Sequence, residues 1–166
     1  MRLYGAYGSN LNTEQMRKRC PNSVPLCSIY LEDWNLVFKG VADLEKNSGS
    51  IALLGIYEIT KECEKSLDLY EEYPIVYNKV NIKKKVEGRT RDIMLYTMNE
   101  KYQYAKPTVK YFKVIENGFK DWNSSLKSLY SSCLHSIENN TSYGYKSENW
   151  RDKKYINESF LRKRIN

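Results

Sequence analysis

An α+β fold is what this sequence predicts: a mixed, largely antiparallel, barrel-like sheet flanked by helices in a single domain. Three observations lead there. The chain has 166 residues, which suits one hydrophobic core rather than two. Strand-like patterns crowd the first part of the chain and helical ones follow residue 108, the segregation of an α+β fold rather than the alternation of an α/β one. Residues 51–59, IALLGIYEI, are apolar on both faces, so they suit a central strand covered on both sides.

Each element has its own signal. Residues 3–11, LYGAYGSNL, begin as a short apolar and aromatic strand and break at Gly8, Ser9 and Asn10 before a helical pattern opens. Gly5 and Gly8 let a ligand approach the main chain closely, and a turn of this kind can aim its amides at an anion. Residues 13–20 read as a short helix, capped at Asn12 or Thr13, stopped by Pro21 and ending in the basic run Arg17, Lys18, Arg19 that suits a helix C-terminus. Residues 26–31 and 34–38 are strand-like, and 40–50, polar and glycine-bearing, read as a loop. A helix starts at Thr60 with Glu62 and Glu64 in its first turn and ends near Pro74. Residues 75–86 alternate as a half-buried strand, Gly88 turns the chain, and 89–98 return as the second arm of a hairpin. Helical stretches follow at about 108–117 and 121–136, separated by Gly118. Ile156, Phe160, Leu161 and Ile165 fall on one helical face, so a short amphipathic helix is expected to close the chain. The domain is therefore read as residues 1–140, with a basic extension, 141–166, packed on it or trailing from it.

Composition narrows the function. The net charge is +7, but residues 141–166 hold seven basic and three acidic side chains, so most of the excess sits in the tail and no nucleic-acid partner is expected. Lys83, Lys84 and Lys85 form the other dense run, which at a sheet edge blocks pairing with another chain. Cys20, Cys27, Cys63 and Cys133 have no CxxC spacing, and there is one histidine, His135; reduced thiols and a cytoplasmic location are expected. The first residues lack the apolar run of a signal peptide, and no stretch approaches a membrane span of about 20 apolar residues, so no membrane partner is expected.

Elimination leaves one candidate for chemistry. A single histidine and scattered cysteines give no metal constellation, and the glycines lack the spacing of a phosphate or dinucleotide loop. Ser9 would need His135 as its base, and that residue lies in a polar helical stretch as a surface or packing side chain. What remains is the carboxylate pair in LDLYEEYP. Glu71 lies four residues after Leu67 and shares its apolar face, whereas Glu72 points away. Partial burial would raise the pKa of Glu71 and make it a workable base near neutral pH.

Four motifs together, LYGAYGSNL, GIYEIT, LDLYEEYPIVY and KPTVKYFKVIENG, resemble the γ-glutamylcyclotransferase family, which includes the AIG2-like proteins. The resemblance runs from about residue 2 to 134. It implies an enzyme without a cofactor that cyclises the glutamyl group of a small γ-glutamyl substrate, releasing 5-oxoproline and a free amine or amino acid. It places the substrate-binding loop on Tyr4, Gly5, Ala6, Tyr7, Gly8 and Ser9, the catalytic glutamate on Glu71, and further substrate contacts on Tyr77 and Tyr111. Many members carry glycine after the catalytic glutamate. This chain has Glu72, whose charge would repel a substrate carboxylate or raise the pKa of Glu71.

In the implied reaction the substrate's own α-amine attacks its δ-carbonyl, so both reacting groups arrive tethered. Glu71 would take a proton from the ammonium and return it to the departing amine. Main-chain amides of the glycine-bearing turn would hold the α-carboxylate or the developing oxyanion, and hydroxyls of Tyr7 and Tyr111 would reach the substrate. The acceptor side is open between an amino acid or peptide and an amine, and the chain would act as a monomer or homodimer. The rival reading is a non-catalytic domain of this fold that binds a small ligand or a protein.

Overall fold

In the computed structural model, which describes residues 1–141 and 144–166, the strands gather in one sheet and the helices pack around it. The order along the chain is β1 (Arg2–Ala6), a 3-10 turn (Ser9–Leu11), α1 (Thr13–Arg19), β2 (Val24–Phe38), β3 (Ala42–Ile59), α2 (Lys61–Tyr70), β4 (Tyr77–Val86), β5 (Arg89–Met98), α3 (Val109–Asp121), α4 (Leu126–Glu138), a second 3-10 turn (Glu148–Trp150) and α5 (Glu158–Ile165). The five strands lie in the order β2-β3-β1-β5-β4. Only β1 and β5 run parallel, and the other pairings are antiparallel, so the sheet is mixed as the sequence predicts. No helix among the described residues is long and apolar enough to cross a membrane.

β1 occupies the middle of the sheet, with Leu3, Tyr4 and Ala6 buried. The chain leaves it through Tyr7 and Gly8 into the Ser9–Leu11 turn, which therefore lies at an end of the sheet. The apolar segment within β3 lies between β2 and β1, where an apolar residue on either face finds cover. β4, which carries Lys83, Lys84 and Lys85, is an edge strand.

Four sequence expectations shift. Residues 40–50 are not a loop: Ala42 to Lys46 pair with Phe38 to Trp34, which confines the turn to residues 39–41, and only 47–50 bulge outward opposite Asp33. The helix of residues 60–74 ends at Tyr70, and β4 opens at Tyr77 rather than at residue 75, because Ile75 and Val76 both donate to Glu72 O in the intervening turn. Gly118 lies within α3, where a Cβ would come 2.8 Å from the Asn12 amide; glycine serves close packing there, and the break falls between Asp121 and Leu126. Ile156 is buried but precedes α5, which begins at Glu158.

The C-terminal segment packs against the sheet ends. Tyr145 N donates to Lys39 O at 2.8 Å, and Trp150, Ile156 and Leu161 are buried. Gly40 makes this possible: it has φ of +85°, and a Cβ there would stand 2.1 Å from Tyr145 O. Ser142 and Tyr143, within the expected 141–166 extension, lie outside the described residues.

Candidate active site

One cleft gathers most of the residues singled out above. It encloses roughly 500 Å³ of space, part of it open to solvent, and is lined by the exit of β1, the end of α2, the 39–42 turn, tyrosines of β4 and α3, and the C-terminal segment. Tyr4, Tyr7, Gly8, Ser9, Glu71, Tyr77 and Tyr111 all line it. Gly5 and Ala6 do not. They are committed to the sheet opposite Ile56 and Gly55, and a Cβ on Gly5 would strike Leu95 at 2.6 Å, so glycine there permits strand packing and not ligand approach.

Glu71 sits where α2 ends. Its N–H still bonds Leu67 O at 2.8 Å, so the helical spacing that puts it on the buried side persists to this residue. The next residue, Glu72, takes φ of +50°, turns the chain, and carries its own carboxylate to the cleft rim, where Tyr145 OH donates to it. Burial pushes the Glu71 carboxyl up to about 8, and the Arg19 guanidinium works against that rise. Of the two effects expected of Glu72, repelling a substrate carboxylate or raising the pKa of Glu71, the second is not among the causes of the shift, which are burial and Arg19.

Asn10 organises the charge. Its Nδ2 donates to Glu71 Oε1 and to Tyr4 OH, each at 3.0 Å, and its Oδ1 accepts from Arg19 at 2.7 Å. Arg19 lies flat on the Tyr70 ring, 3.7 Å from its centroid, so the cation is fixed by stacking as well as by its hydrogen bond. Tyr70 OH accepts from Trp150 Nε1 at 2.7 Å and meets Ser9 Oγ at 2.7 Å, which ties the C-terminal segment to the glycine-bearing turn. Gly8 brings that turn close: a Cβ there would lie 3.2 Å from Tyr111 OH. Ser9 and Asn10 open the 3-10 turn, and the first N–H groups of such a turn have no partner within it.

Two tyrosines hold the opposite wall. Tyr111 OH accepts from Ala42 N at 2.9 Å and Tyr77 OH donates to Ala42 O at 2.6 Å. Tyr111 keeps its own O–H to donate. Tyr7 does not, because its proton goes to Tyr96 O at 2.5 Å, so its expected role as a donor to substrate gives way to one in holding the β5 backbone. Burial pushes the phenols of Tyr4, Tyr7, Tyr77 and Tyr111 well above their ordinary range, and all four stay protonated at neutral pH.

The sequence reading missed Asn10, Arg19, Tyr70, Tyr145 and Trp150. Asn10 stood inside the YGSN motif and Arg19 in the basic end of α1, so both had a local signal; the two residues from the C-terminal segment had none. His135 is exposed and edge-on to Tyr104, away from the cleft. All four cysteines are free, and no group of His, Cys, Asp and Glu among the described residues could hold a metal ion.

Comparison with known proteins places this geometry among relatives. The model of the family described as gamma-glutamyl cyclotransferase, AIG2-like, matches residues 4–122. The chain is 32% identical to the gamma-glutamylcyclotransferase of Mus musculus, over 90% of this chain and 86% of the relative. It is 30% identical to the Homo sapiens protein of the same name, with the same coverage. A solved structure titled gamma-glutamyl cyclotransferase superposes with a TM-score of 0.68 at 28% identity over 98% of both chains. YkqA from Bacillus subtilis, at 20% identity and a TM-score of 0.69, covers 86% of this chain and 56% of its own, a likeness of fold alone.

Proposed function

The chain belongs to the gamma-glutamyl cyclotransferase, AIG2-like family, and from that premise we propose that it is an enzyme that cuts a γ-glutamyl amide by cyclisation, with Glu71 as its acid and base. The observation that carries this reading is the Glu71 carboxyl, pushed up to about 8 and held by Asn10 in a cleft whose other side is the Gly8–Ser9 turn.

The substrate's α-amine arrives protonated and cannot attack. With its carboxyl pushed up to about 8, the half-buried Glu71 is itself largely protonated at neutral pH in the free protein, but an ammonium entering beside it favours the ionised carboxylate. Glu71 then takes one proton from the ammonium, the freed nitrogen bonds to the δ-carbon, and the five-membered ring closes. The carbonyl oxygen carries negative charge until the amide C–N bond breaks. Glu71 gives its proton to the departing nitrogen, then takes the second proton that the ring nitrogen must lose and passes it on. This leaves 5-oxoproline with a neutral ring, the released amine as its ammonium, and Glu71 again ionised.

Because both reacting groups belong to one molecule, the cleft has only to select the folded rotamer. The amides opening the Ser9–Leu11 turn and the Tyr111 O–H would receive the negative charge, on the α-carboxylate or the forming oxyanion. Ring-lined walls from Tyr4, Tyr7, Tyr77 and Trp150 lower the dielectric on the sides they cover and would strengthen these contacts. The leaving group is an amino acid or peptide first, an amine second. Incubation of the purified chain with a panel of γ-glutamyl amino acids and amines, followed by mass spectrometry for 5-oxoproline, tests the reading; release from at least one is expected, and none from any would end it.

A further inference from the structure

A second cavity opens beside the cleft and shares four of its residues, Val41, Tyr145, Ser147 and Trp150. It is built by the C-terminal segment on one side and by residues 106–108 on the other, with Gly40 at its floor. The charged side chains lining the first cleft are Glu71 and Glu72, whereas the second holds Lys106, Lys146 and Arg151 against Glu148 and Asp152. Its two carboxylates are already engaged: Glu148 pairs with Arg151 at 2.6 Å, and Asp152 accepts from Lys110 N and Lys154 N. Arg151 is engaged by Glu148 in turn, and three cations against two carboxylates leave the lining cationic by one formal charge.

Lys106 is mounted rigidly. Ala105 bonds to Phe38 O and to Gly40 N, and Pro107 O accepts from Ile156 N, so the backbone on either side of the lysine is pinned while its side chain is exposed. Thr108 Oγ1 donates to Trp150 O at 2.7 Å and joins the two walls. No ion pair of Lys106 is formed among the described residues.

We infer that this second cavity is the leaving-group subsite and that it takes an amine bearing a carboxylate, an amino acid or peptide, through Lys106. The inference rests on the cyclotransferase reading. With the glutamyl group in the first cleft, the shared wall of Val41, Tyr145, Ser147 and Trp150 leads to the second cavity, which the leaving group would enter. The charge pattern sorts the two ends: carboxylates at the cleft receive the ammonium, and cations beyond Trp150 receive the anionic end.

The test compares kcat/KM for γ-glutamylalanine and γ-glutamylethylamide, whose leaving groups differ chiefly in the carboxylate, in the full chain and in its Lys106→Glu and Lys106→Arg variants. The wild type is expected to favour the dipeptide. Lys106→Glu should lower that preference about tenfold, mostly through KM and less at high salt, and Lys106→Arg should keep it. An unchanged preference in Lys106→Glu, or no preference in the wild type, overturns the subsite. Failure of the wild type to release 5-oxoproline from either compound overturns instead the activity on which the subsite depends.

Discussion

The Asn10 carboxamide donates to the Glu71 carboxylate at 3.0 Å, and through its other end it is bound to Arg19. One side chain thus bonds both the acid–base group and the Arg19 cation that opposes its rise in pKa. Asn10→Ala removes the donor and leaves the half-buried Glu71 carboxyl short of a partner, a loss of roughly 1.5–3 kcal/mol when the group is ionised beside the substrate ammonium. The expected loss in kcat/KM is about ten- to a hundredfold, measured by steady-state release of 5-oxoproline.

Arg19 holds the Glu71 pKa down, so its removal raises that pKa above about 8. Since the base must be ionised to accept a proton, kcat/KM of the wild type should climb with pH through that region. In Arg19→Met the same limb should move to higher pH, with the largest deficit near neutrality. A pH–rate profile of both proteins checks the direction.

The same group makes a stability prediction. Its folded-state pKa of about 8 lies above the unfolded value near 4.5, so between those limits the folded protein binds the extra proton and stability falls as pH rises. Glu71→Gln cannot ionise. It should melt close to the wild type at pH 5 and higher than the wild type at pH 8.5, as thermal unfolding at the two pH values would record.

Much of this site was legible where physics is local. Four-residue helical spacing from Leu67 was enough to turn Glu71 toward the cleft as a half-buried side chain, and glycines after an apolar strand were enough to mark the turn at Gly8. Gly5 misled because an identical residue type answers a different need: room for Leu95 rather than for a ligand. The β2–β3 ribbon was half hidden because residues 45–48 are partly or fully exposed, so their polarity resembles that of a loop although the backbone is paired or bulged. Trp150 and Tyr145 were invisible, since nothing in a short polar segment says which distant cleft it will cover. Gly40, with its Cβ position filled by Tyr145 O, explains the docking only after the fact.

Behind the cleft wall, Lys39 bonds Asp43 at 2.7 Å and Glu45 at 2.9 Å, with the lysine and aspartate side chains 7% and 2% exposed. Asp43 also accepts from Leu44 N and Met98 N, which fixes the start of β3 next to Ala42. Lys39→Met strands a buried carboxylate and should destabilise the protein by about 3–5 kcal/mol, read from urea unfolding.

The central claim is that one carboxylate moves the proton. Wild type and Glu71→Gln, both shown to be folded by circular dichroism, should be incubated at pH 8 with γ-glutamyl amino acids and assayed for 5-oxoproline. The account predicts release by the wild type with an equal amount of free amino acid, and a rate at least about a thousandfold lower in the variant. Equal rates in the two proteins would contradict it.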